Sequence, residues 1–507
     1  EGVWARRATL DRILDQTARG WDAAHMPPID LIVQRIGLYE LLYGGVPRAI
    51  AIDEAVTLAK EFSTDDCARF VNGVLDAAAK LRTTGGESWL SSMSADGEEA
   101  PPIPPVAAVE RIKELGSELC PPAYGRRSVV EAGRWVLAAL GLEAWDEDRF
   151  DLPRPPALKR LVVVVIDGLG AKQLRDHRDV ASFIWKMPGT FASSTFPSTS
   201  ATALASICTA RFPKEHKIAG YRFLHAGRRF NVIKYEYDPE EEEEKLVSSG
   251  ILAARRTPPL PAPERLQPQK TLFERAKEAN LASYVVTRRE FEGSKFSDVL
   301  LRGASWVPYK RSSEAPGKVR EIFKEHRSAL VYLYWDGLDK AGHEKGPDSP
   351  QWLEMLERAD RICRRTASML GPYDGMVVVA DHGMIPTKED DWAELPQEVL
   401  RLARAVAGEP RVRYLYAAPG KADELLAAAR EILGQKAWVF SRSEAESYGF
   451  FGPADIGGTC EHAGDVIVAS RATHVLRDPE VRKHSPKGNH GSLTDDEMFV
   501  PFRVATG

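Results

Sequence analysis

The sequence contains few cysteines, and they are not arranged for pairing. The five cysteines stand at positions 67, 120, 208, 363 and 460, and no two of them form a CxxC motif. An odd and scattered set argues against both a disulfide framework and a thiolate zinc site, and it fits a reducing compartment. We therefore expect a cytoplasmic protein without structural disulfides.

Long hydrophobic runs and a strong excess of one charge are also absent. The longest apolar runs, such as LVVVVI at 161–166, are far too short to cross a bilayer. Residue 1 is Glu and no apolar leader follows it, so we expect no secretory signal. The net charge of −5 gives no electrostatic reason for nucleic acid or an anionic membrane to be the main partner. These absences favour a soluble globular protein that does not bind membranes.

The composition changes along the chain in a way that predicts two domains. With 507 residues, the chain is longer than one hydrophobic core usually serves. Residues 1–82 show helical periodicity and almost no strand pattern, which predicts a small helical domain. Residues 83–117 begin with TTGGESWLSSMSADGEEAPPIPP, a composition typical of a flexible linker. Residues 118–507 then form the second domain.

Short Val-rich runs recur between helical stretches of the second domain. They are LVVVVI at 161, SYVVT at 283, ALVYLY at 329, MVVVA at 376 and DVIVA at 465. Apolar runs separated by amphipathic helices predict an α/β fold with a mostly parallel sheet and helices on both faces. Such sheets bind their ligands at the carboxyl ends of the strands, so the candidate site residues are expected there.

Aspartate and histidine follow three of these runs and occur again in a glycine-rich loop near residue 490. The residues are Asp167, Asp339, His343, Asp381, His382 and His490. Each one alone has an ordinary explanation, such as a turn residue after a strand or a surface ion pair on a helix. Together they place carboxylates and imidazoles at one edge of the sheet, a ligand set that suits zinc and tolerates manganese. Six ligands are enough for two ions.

The stretch FASSTFPSTSATALASICTARFP at 191–213 supplies candidate nucleophiles. If a helix begins near Ala201, its first-turn N–H groups form an anion site for a phosphoryl group, and a hydroxyl at the helix start faces that group. Two ions about 4 Å apart would clamp the attacking and leaving oxygens of a phosphoryl or sulfuryl transfer. The ordinary alternative is that these hydroxyls cap the helix, a role for which Ser198 or Thr199 is suited.

Five motifs in order resemble the alkaline phosphatase superfamily, in its type I phosphodiesterase and nucleotide pyrophosphatase branch. The motifs are VVVVIDGLG, FPSTSATALASICTARFPKEHKIAGY, YWDGLDKAGHEKGP, VVVADHGM and GNHGSLTDDEMFVPF. The resemblance covers residues from about 118 to 507 and implies an alkaline phosphatase-like fold. It also implies two divalent metal ions and hydrolysis of a small phosphodiester, pyrophosphate or related phosphate ester through a covalent phosphoseryl intermediate.

The same resemblance assigns roles to individual positions. It places Asp167, Ser200, Asp381 and His382 around one ion, and Asp339, His343 and His490 around the other. The nucleophile of this branch is usually threonine, and counting back from Cys-Thr-Ala selects Ser200, with the adjacent Thr199 as the alternative. Tyr221 stands where nucleotide-cleaving members have an asparagine that contacts the phosphate. Tyr221 is therefore the candidate substrate-binding residue, and it argues against a nucleotide diester.

The amino-terminal segment carries a second resemblance. PPIDLIVQRIGLYELLYGGVP and AIDEAVTLAKEFSTDDCARFVNGVLDAAAKL resemble the carboxyl-terminal half of the NusB family, helical transcription antitermination factors that bind RNA with a ribosomal protein partner. Residues 1–82 hold 10 Lys and Arg against 12 Asp and Glu, so neutralisation of phosphates is weak. Two functions stay open: a two-metal hydrolase, and an RNA-binding transcription module with an accessory hydrolase domain.

Overall fold

The structure, a computed structural model, describes most of the chain in eight stretches. They are residue 3 and residues 7–18, 26–42, 48–62, 67–79, 118–238, 258–478 and 485–507. The chain divides into two compact units, Glu1–Pro102 and Ile103–Gly507. The linker predicted over 83–117 lies outside the described residues, so its boundaries stay a prediction.

The described part of the first unit is helical. Its helices are α1 (Arg7–Thr17), α2 (Pro28–Leu42) and α3 (Arg48–Phe62), and residues 67–79 are also helical. Apolar residues at helical spacing, such as Leu10, Ile13 and Leu14 of α1, share one core with Leu38 and Leu75. The predicted helical character of this segment is confirmed.

The described strands all belong to the second unit. In chain order they are β1 (Arg160–Ile166), β2 (Gly189–Ser193), β3 (Arg222–His225), β4 (Arg228–Asn231), β5 (Glu236–Tyr237), β6 (Ala282–Val286), β7 (Ser305–Trp306), β8 (Ala329–Trp335), β9 (Asp374–Val379), β10 (Ile385–Pro386), β11 (Trp392–Glu394), β12 (Ala403–Glu409), β13 (Val412–Ala417), β14 (Ala437–Ser441), β15 (Val466–Ser470), β16 (Val475–Arg477), β17 (Gly488–Asn489) and β18 (Phe499–Thr506).

Helices connect these strands. They are α4 (Val129–Ala139), α5 (Ala171–Asp176), α6 (Ser182–Lys186), α7 (Ser200–Thr209), α8 (Pro213–His216), α9 (Pro263–Leu266), α10 (Leu272–Glu278), α11 (Lys295–Leu300), α12 (Ala315–Glu325), α13 (Gly337–Lys345), α14 (Pro350–Ala367), α15 (Gln397–Leu400), α16 (Ala422–Leu433), α17 (Arg442–Ser447) and α18 (Asp495–Met498). Among the described residues, no helix combines the length and apolar character needed to cross a lipid bilayer.

A seven-stranded sheet forms the centre of the second unit. Its strand order is β2-β18-β9-β1-β8-β6-β7, and neighbouring strands are parallel except at β18, which is antiparallel to both β9 and β2. Every residue from Leu161 to Ile166 is buried, since helices cover both faces of the sheet. Helices α4 and α7 pack together in one group, and α12 and α14 in another. The predicted fold class is confirmed, and four of the Val-rich runs are β1, β6, β8 and β9.

The fifth Val-rich run, DVIVA at 465, does not join this sheet. It forms β15 of a separate antiparallel sheet with the order β12-β13-β15-β14. Helix α16 covers one face of β15, and the other face shares a core with Trp438 and Phe440 of the neighbouring strand β14 and with Phe450. A strand buried on both faces is a continuous apolar run in either kind of sheet. Assigning this run to the parallel sheet was therefore wrong.

Strands β1, β8 and β9 end at the same edge of the central sheet. In the register, Ile166 pairs with Trp335 and Val165 pairs with Val379. The residues that directly follow these strands therefore emerge side by side. This edge is where the candidate site lies.

Candidate active site

The structure brings the six predicted Asp and His residues together in two clusters. Asp167, Asp381 and His382 form the first cluster, and Asp339, His343 and His490 form the second. Within each cluster, one oxygen or nitrogen atom from every residue lies within 4.8 Å of the others. These groups divide in the same way as the two metal sites that the family pattern implies.

One local feature brings the two clusters close to each other, and another assembles the second cluster. Gly168 has φ +74, and a Cβ atom there would lie 3.1 Å from Asp339 Cα, so glycine allows the turn after β1 to approach α13. Asp339 and His343 are one turn apart on α13 and share a face of the helix. As a result, His343 Nε2 lies 3.3 Å from Asp339 Oδ1.

Each of the three cluster histidines has its Nδ1 atom bound to a backbone carbonyl. The pairs are His343 with Gly488 at 2.8 Å, His382 with Gly383 at 2.9 Å, and His490 with Ser198 at 2.9 Å. A carbonyl only accepts, so Nδ1 donates its proton and Nε2 carries the lone pair. All three histidines therefore present a ligand atom to the clusters, with the outer hydrogen bond that metal-bound histidines usually make.

His490 is held neutral by its surroundings. Burial, followed by the neighbouring His382 and His343 rings, lowers the pKa of His490 well below its ordinary value. The His382 and His490 rings are stacked with their centroids 3.5 Å apart. A neutral imidazole is the form that binds a metal ion.

The carboxylates leave three buried oxygen atoms without a hydrogen-bond partner: Asp167 Oδ1, Asp339 Oδ1 and Asp381 Oδ2. Burial, with Asp381 and Asp339 close by, raises the pKa of Asp167 well above its ordinary value. Buried carboxylate oxygens without donors are costly, and a divalent cation would satisfy them. Oxygen and nitrogen donors without sulfur suit zinc or manganese, so the residues present fit such ions.

The remaining carboxylate oxygens are fixed by hydrogen bonds. Asp381 Oδ1 accepts from the backbone N–H of Gly168 at 3.1 Å and of His382 at 3.0 Å. The Tyr334 hydroxyl donates to Asp167 Oδ2. Tyr334 was not predicted as a site residue, although a hydroxyl near the end of the apolar strand β8 was an available signal.

The Ser200 hydroxyl contacts a side-chain ligand atom of the first cluster. Ser200 is partly exposed at the first position of α7, and its Oγ lies 3.1 Å from His382 Nε2. The neighbouring hydroxyls are buried, and most are engaged elsewhere: Ser194 with Asp381 O, Thr195 with Pro197 O at 2.8 Å, Ser198 with Ser492 O at 2.7 Å, and Thr199 with the Glu409 carboxyl. Thr202 Oγ1 has no partner.

The predicted side-chain cap of α7 is absent. Thr199 is the N-cap residue, but its side chain makes no capping hydrogen bond. The Ser198 and Thr199 hydroxyls are instead drawn to acceptors on other segments, Ser492 and Glu409, that pack against the helix start. The capping prediction was therefore wrong, and the first-turn N–H groups of α7 stay free of a side-chain cap beside Ser200.

Tyr221 lies on the flank of the same helix start. Its backbone N–H interacts with the Glu409 carboxyl, which also interacts with the Thr199 hydroxyl. The structure thus connects Tyr221 to the residue that precedes Ser200. Its proposed contact with substrate stays a prediction.

A buried ion pair supports the loops that carry the candidate ligands. Arg411 and Glu497 are both fully buried, with Nη2 to Oε2 at 2.7 Å and Nε to Oε1 at 3.0 Å. Glu497 Oε1 also accepts from Ser492 N at 2.9 Å, and the Glu497 carbonyl accepts from Gly383 N at 2.8 Å. The turn between β12 and β13 is therefore tied to both ligand loops. Arg411 was not predicted as a supporting residue, because no strand pattern was recognised around that position.

The second unit matches the model of a known protein family. The family model described as type I phosphodiesterase / nucleotide pyrophosphatase matches residues 161–493, which include all six cluster residues and Ser200. The chain belongs to this family.

Solved structures share the fold of the second unit. Murine ectonucleotide pyrophosphatase / phosphodiesterase 5 superposes with a TM-score of 0.52 and 16% identity over 69% of this chain and 88% of that chain. An inactive variant of the same murine protein, in complex with AMP, superposes with a TM-score of 0.50 and 16% identity over 69% of this chain and 88% of that chain. Phosphonoacetate hydrolase from Sinorhizobium meliloti 1021, in complex with phosphonoformate, superposes with a TM-score of 0.52 and 19% identity over 69% of this chain and 91% of that chain. At these identities the structures show a common fold.

The first unit matches a second family. The NusB family model matches residues 1–80. The transcription antitermination protein NusB of Saccharopolyspora erythraea is 53% identical over 90 residues, 17% of this chain and 61% of that protein. The NusB protein of Beutenbergia cavernae is 49% identical over 82 residues, which are 16% of this chain and 54% of that protein. The chain therefore spans little more than half the length of these relatives.

Proposed function

We propose that this chain is a two-metal hydrolase of phosphodiester, pyrophosphate or related phosphate esters, with Ser200 as the nucleophile. The observation that carries the proposal is the pair of clusters beside Ser200, in which three histidine Nε2 atoms and three partnerless carboxylate oxygens converge. Family membership supports the same class of reaction.

Each cluster would hold one divalent ion, zinc or alternatively manganese. Asp167, Asp381 and His382 would hold the ion beside Ser200, and the second cluster would hold the other. When bound, such ions neutralise charge on the phosphoryl oxygens and lower the pKa of a neighbouring hydroxyl.

The chain's own residues would carry out a double displacement. Ser200 Oγ, as its alkoxide, attacks phosphorus while the bond from phosphorus to the leaving-group oxygen breaks, which leaves a phosphoseryl intermediate. The first-turn N–H groups of α7 donate to the non-bridging oxygens. Water then attacks phosphorus, the bond to Ser200 Oγ breaks, and inorganic or monoesterified phosphate leaves.

The substrate is proposed to be a small phosphate ester, with Tyr221 beside its phosphoryl group. A structural neighbour binds AMP and another binds a phosphonate, so phosphate monoesters and phosphonates both fit folds of this kind. Tyr221 in place of the family asparagine favours esters other than nucleotide diesters.

A panel of chromogenic esters tests the proposal. The purified chain, with added zinc or manganese, should hydrolyse bis-p-nitrophenyl phosphate, p-nitrophenyl phosphate or p-nitrophenyl phenylphosphonate, and chelation should abolish the activity. p-Nitrophenyl sulfate tests whether the chain also hydrolyses sulfate esters. No hydrolysis of any phosphorus ester by a folded, metal-loaded protein would refute the proposed function.

A second candidate function rests on the match of residues 1–80 to NusB. In this case the first unit would bind RNA, or a ribosomal protein, and the hydrolase would be an accessory domain. Filter binding of an RNA stem and a single strand, repeated across salt concentrations, separates the candidates. Tight binding with a steep salt dependence would favour this function, and weak, salt-insensitive binding would exclude RNA as the main ligand.

We also propose a cytoplasmic location. The five cysteines are odd in number and scattered along the chain, which is the pattern of a reducing compartment. Fractionation of cells that express the tagged chain would test this location.

A further inference from the structure

Glu409 is a buried carboxyl outside both clusters. It is the last residue of β12, where a tight turn leads into β13, and it is only 2% exposed. The Thr199 hydroxyl and the backbone N–H of Tyr221 lie near enough to its carboxyl to lower its pKa. Its Oε1 atom has no hydrogen-bond partner.

Two glycines make room for this carboxyl. A Cβ atom on Gly491 would lie 3.2 Å from Glu409 Cγ and 3.3 Å from Oε2, and a Cβ atom on Gly220 would lie 3.4 Å from Oε1. Both glycines have positive φ, +135 at Gly491 and +136 at Gly220. Glu409 therefore fills the space where three segments of the chain meet.

Each of these segments carries a group of the candidate site. Thr199 directly precedes Ser200, Gly491 directly follows His490, and Gly220 directly precedes Tyr221. A side chain that contacts all three segments fixes the nucleophile, one ligand and the substrate-side tyrosine relative to one another.

Fold stability alone does not explain a carboxyl at this point. Burial raises the pKa of Glu409 to about 8, although the Thr199 hydroxyl and the Arg413 charge oppose the shift. An apolar side chain of similar size would avoid this desolvation cost. Polar groups that cost stability in a well-packed region are typical of functional positions.

Given the proposed hydrolase function, we infer that Glu409 is a positioning residue for phosphoryl transfer. It holds Thr199, and through Thr199 it holds the Ser200 hydroxyl in line for attack. The Thr199 hydroxyl is free for this contact since it does not cap α7. Because Glu409 acts through a neighbour, its loss changes the turnover number more than substrate affinity.

The test compares E409L, E409Q, T199V and the E409L/T199V double variant with the wild type. E409L should lower kcat by about tenfold or more with KM within about threefold, as misplacement of a reacting group does. E409Q keeps an acceptor of the same shape and should stay within about threefold of wild-type kcat. The double variant should be no slower than the slower single variant, because both changes remove one interaction.

Stability and metal content separate positioning from a structural role. E409L should melt no lower than the wild type and should bind the same amount of zinc. A loss of kcat that appears only with a lower melting temperature or a lower zinc content would overturn the inference. Wild-type kcat in E409L, or additive effects in the double variant, would also overturn it.

Orthovanadate, a mimic of the phosphoryl group in transfer, gives a readout that does not need turnover. Calorimetry should show at least about tenfold weaker vanadate binding to zinc-loaded E409L than to the wild type, with E409Q unchanged. If the wild type binds vanadate but hydrolyses no ester, the proposed function fails while Glu409 is still tested. Equal vanadate affinity in E409L and the wild type refutes the role of Glu409. A wild type that neither binds vanadate nor hydrolyses an ester refutes both proposals.

Discussion

The Ser200 hydroxyl lies 3.1 Å from His382 Nε2 and makes no contribution to capping α7. Removing it should therefore affect the reaction and spare the fold. We expect Ser200→Ala to lower kcat on the order of 10⁴-fold or more, with an unchanged melting temperature. Steady-state kinetics and thermal unfolding check both parts, and mass spectrometry of acid-quenched wild type should locate a phosphoryl group on Ser200.

Thr202 offers a matched control on the same helix. Its hydroxyl is buried and has no hydrogen-bond partner, so Thr202→Val should keep wild-type turnover. Near-normal turnover of Ser200→Ala, or a phosphoryl group on Thr199, would contradict the choice of nucleophile.

His343 and His490 are assigned to the same ion, so their loss should have the same effect. Replacing either residue with Ala should lower the metal content from about two ions per chain to about one, and turnover should fall with it. Elemental analysis after dialysis measures the metal content.

His326 serves as the control for this experiment. It precedes β8, so it lies at the opposite end of the strands from the site, where it pairs with the Tyr284 hydroxyl. His326→Ala should keep both ions. Full metal content and activity in both site variants would remove His343 and His490 from the metal centre.

Sequence alone located the candidate ligands because each follows a recognisable strand or motif. Asp167 and Asp381 come after runs that could only be buried strands, and parallel strands bring their carboxyl ends together. The side chains and carbonyls that the hydroxyls near the start of α7 contact could not be predicted in this way. Thr199 meets Glu409 only because β12 folds against the helix start, and no local pattern indicates that contact.

At the scale of elements, the turn between β12 and β13 depends on the buried pair of Arg411 and Glu497. Removing one partner leaves an uncompensated charge in the interior, so Arg411→Met or Glu497→Leu should each cost about 3–5 kcal/mol of unfolding free energy. The double variant should recover most of this loss. Urea unfolding followed by tryptophan fluorescence gives the three values.

The surface pair of Arg358 and Glu354 is the matched comparison. It joins two exposed side chains on α14, and its loss should cost less than about 1 kcal/mol. If Arg411→Met costs no more than Arg358→Met, the buried pair does not support the ligand loops.

The positions of the apolar strands were predictable from the sequence, but the neighbour of each strand in its sheet was not. β1, β6, β8 and β9 were found because they are apolar runs separated by helices. β15 has the same apolar pattern and belongs to another sheet, and β18 runs antiparallel between β9 and β2. Burial determines a strand's composition, whereas its neighbours are set by packing of the whole domain.

At the scale of the whole molecule, the composition of residues 83–117 predicts a linker between two independent domains. Limited proteolysis should cut there first, because polar segments rich in Pro and Gly have few buried contacts. The larger fragment should begin between about residues 83 and 118 and keep the ester-hydrolysing activity of the intact chain. Mass spectrometry identifies the cut, and the chromogenic assay measures the fragment.

The uncut chain, treated with inactivated protease so that it still contains residues 1–82, is the control. Loss of activity or of cooperative unfolding in the fragment would show that the NusB-like helices belong to the catalytic fold. An early cut within the second unit would contradict the proposed boundary.

The place of β18 in the central sheet bears on how the protein is made. Residues Phe499–Thr506 lie between β9 and β2, so both of those strands keep an open edge until this late segment has been synthesised. His490 follows the other five candidate ligands in the chain, so the second cluster cannot be complete before this segment has been made. During translation the ribosome therefore carries a chain with an unpaired sheet edge, a surface that chaperones bind. The two proposed clusters would be complete only after residue 490 has left the exit tunnel.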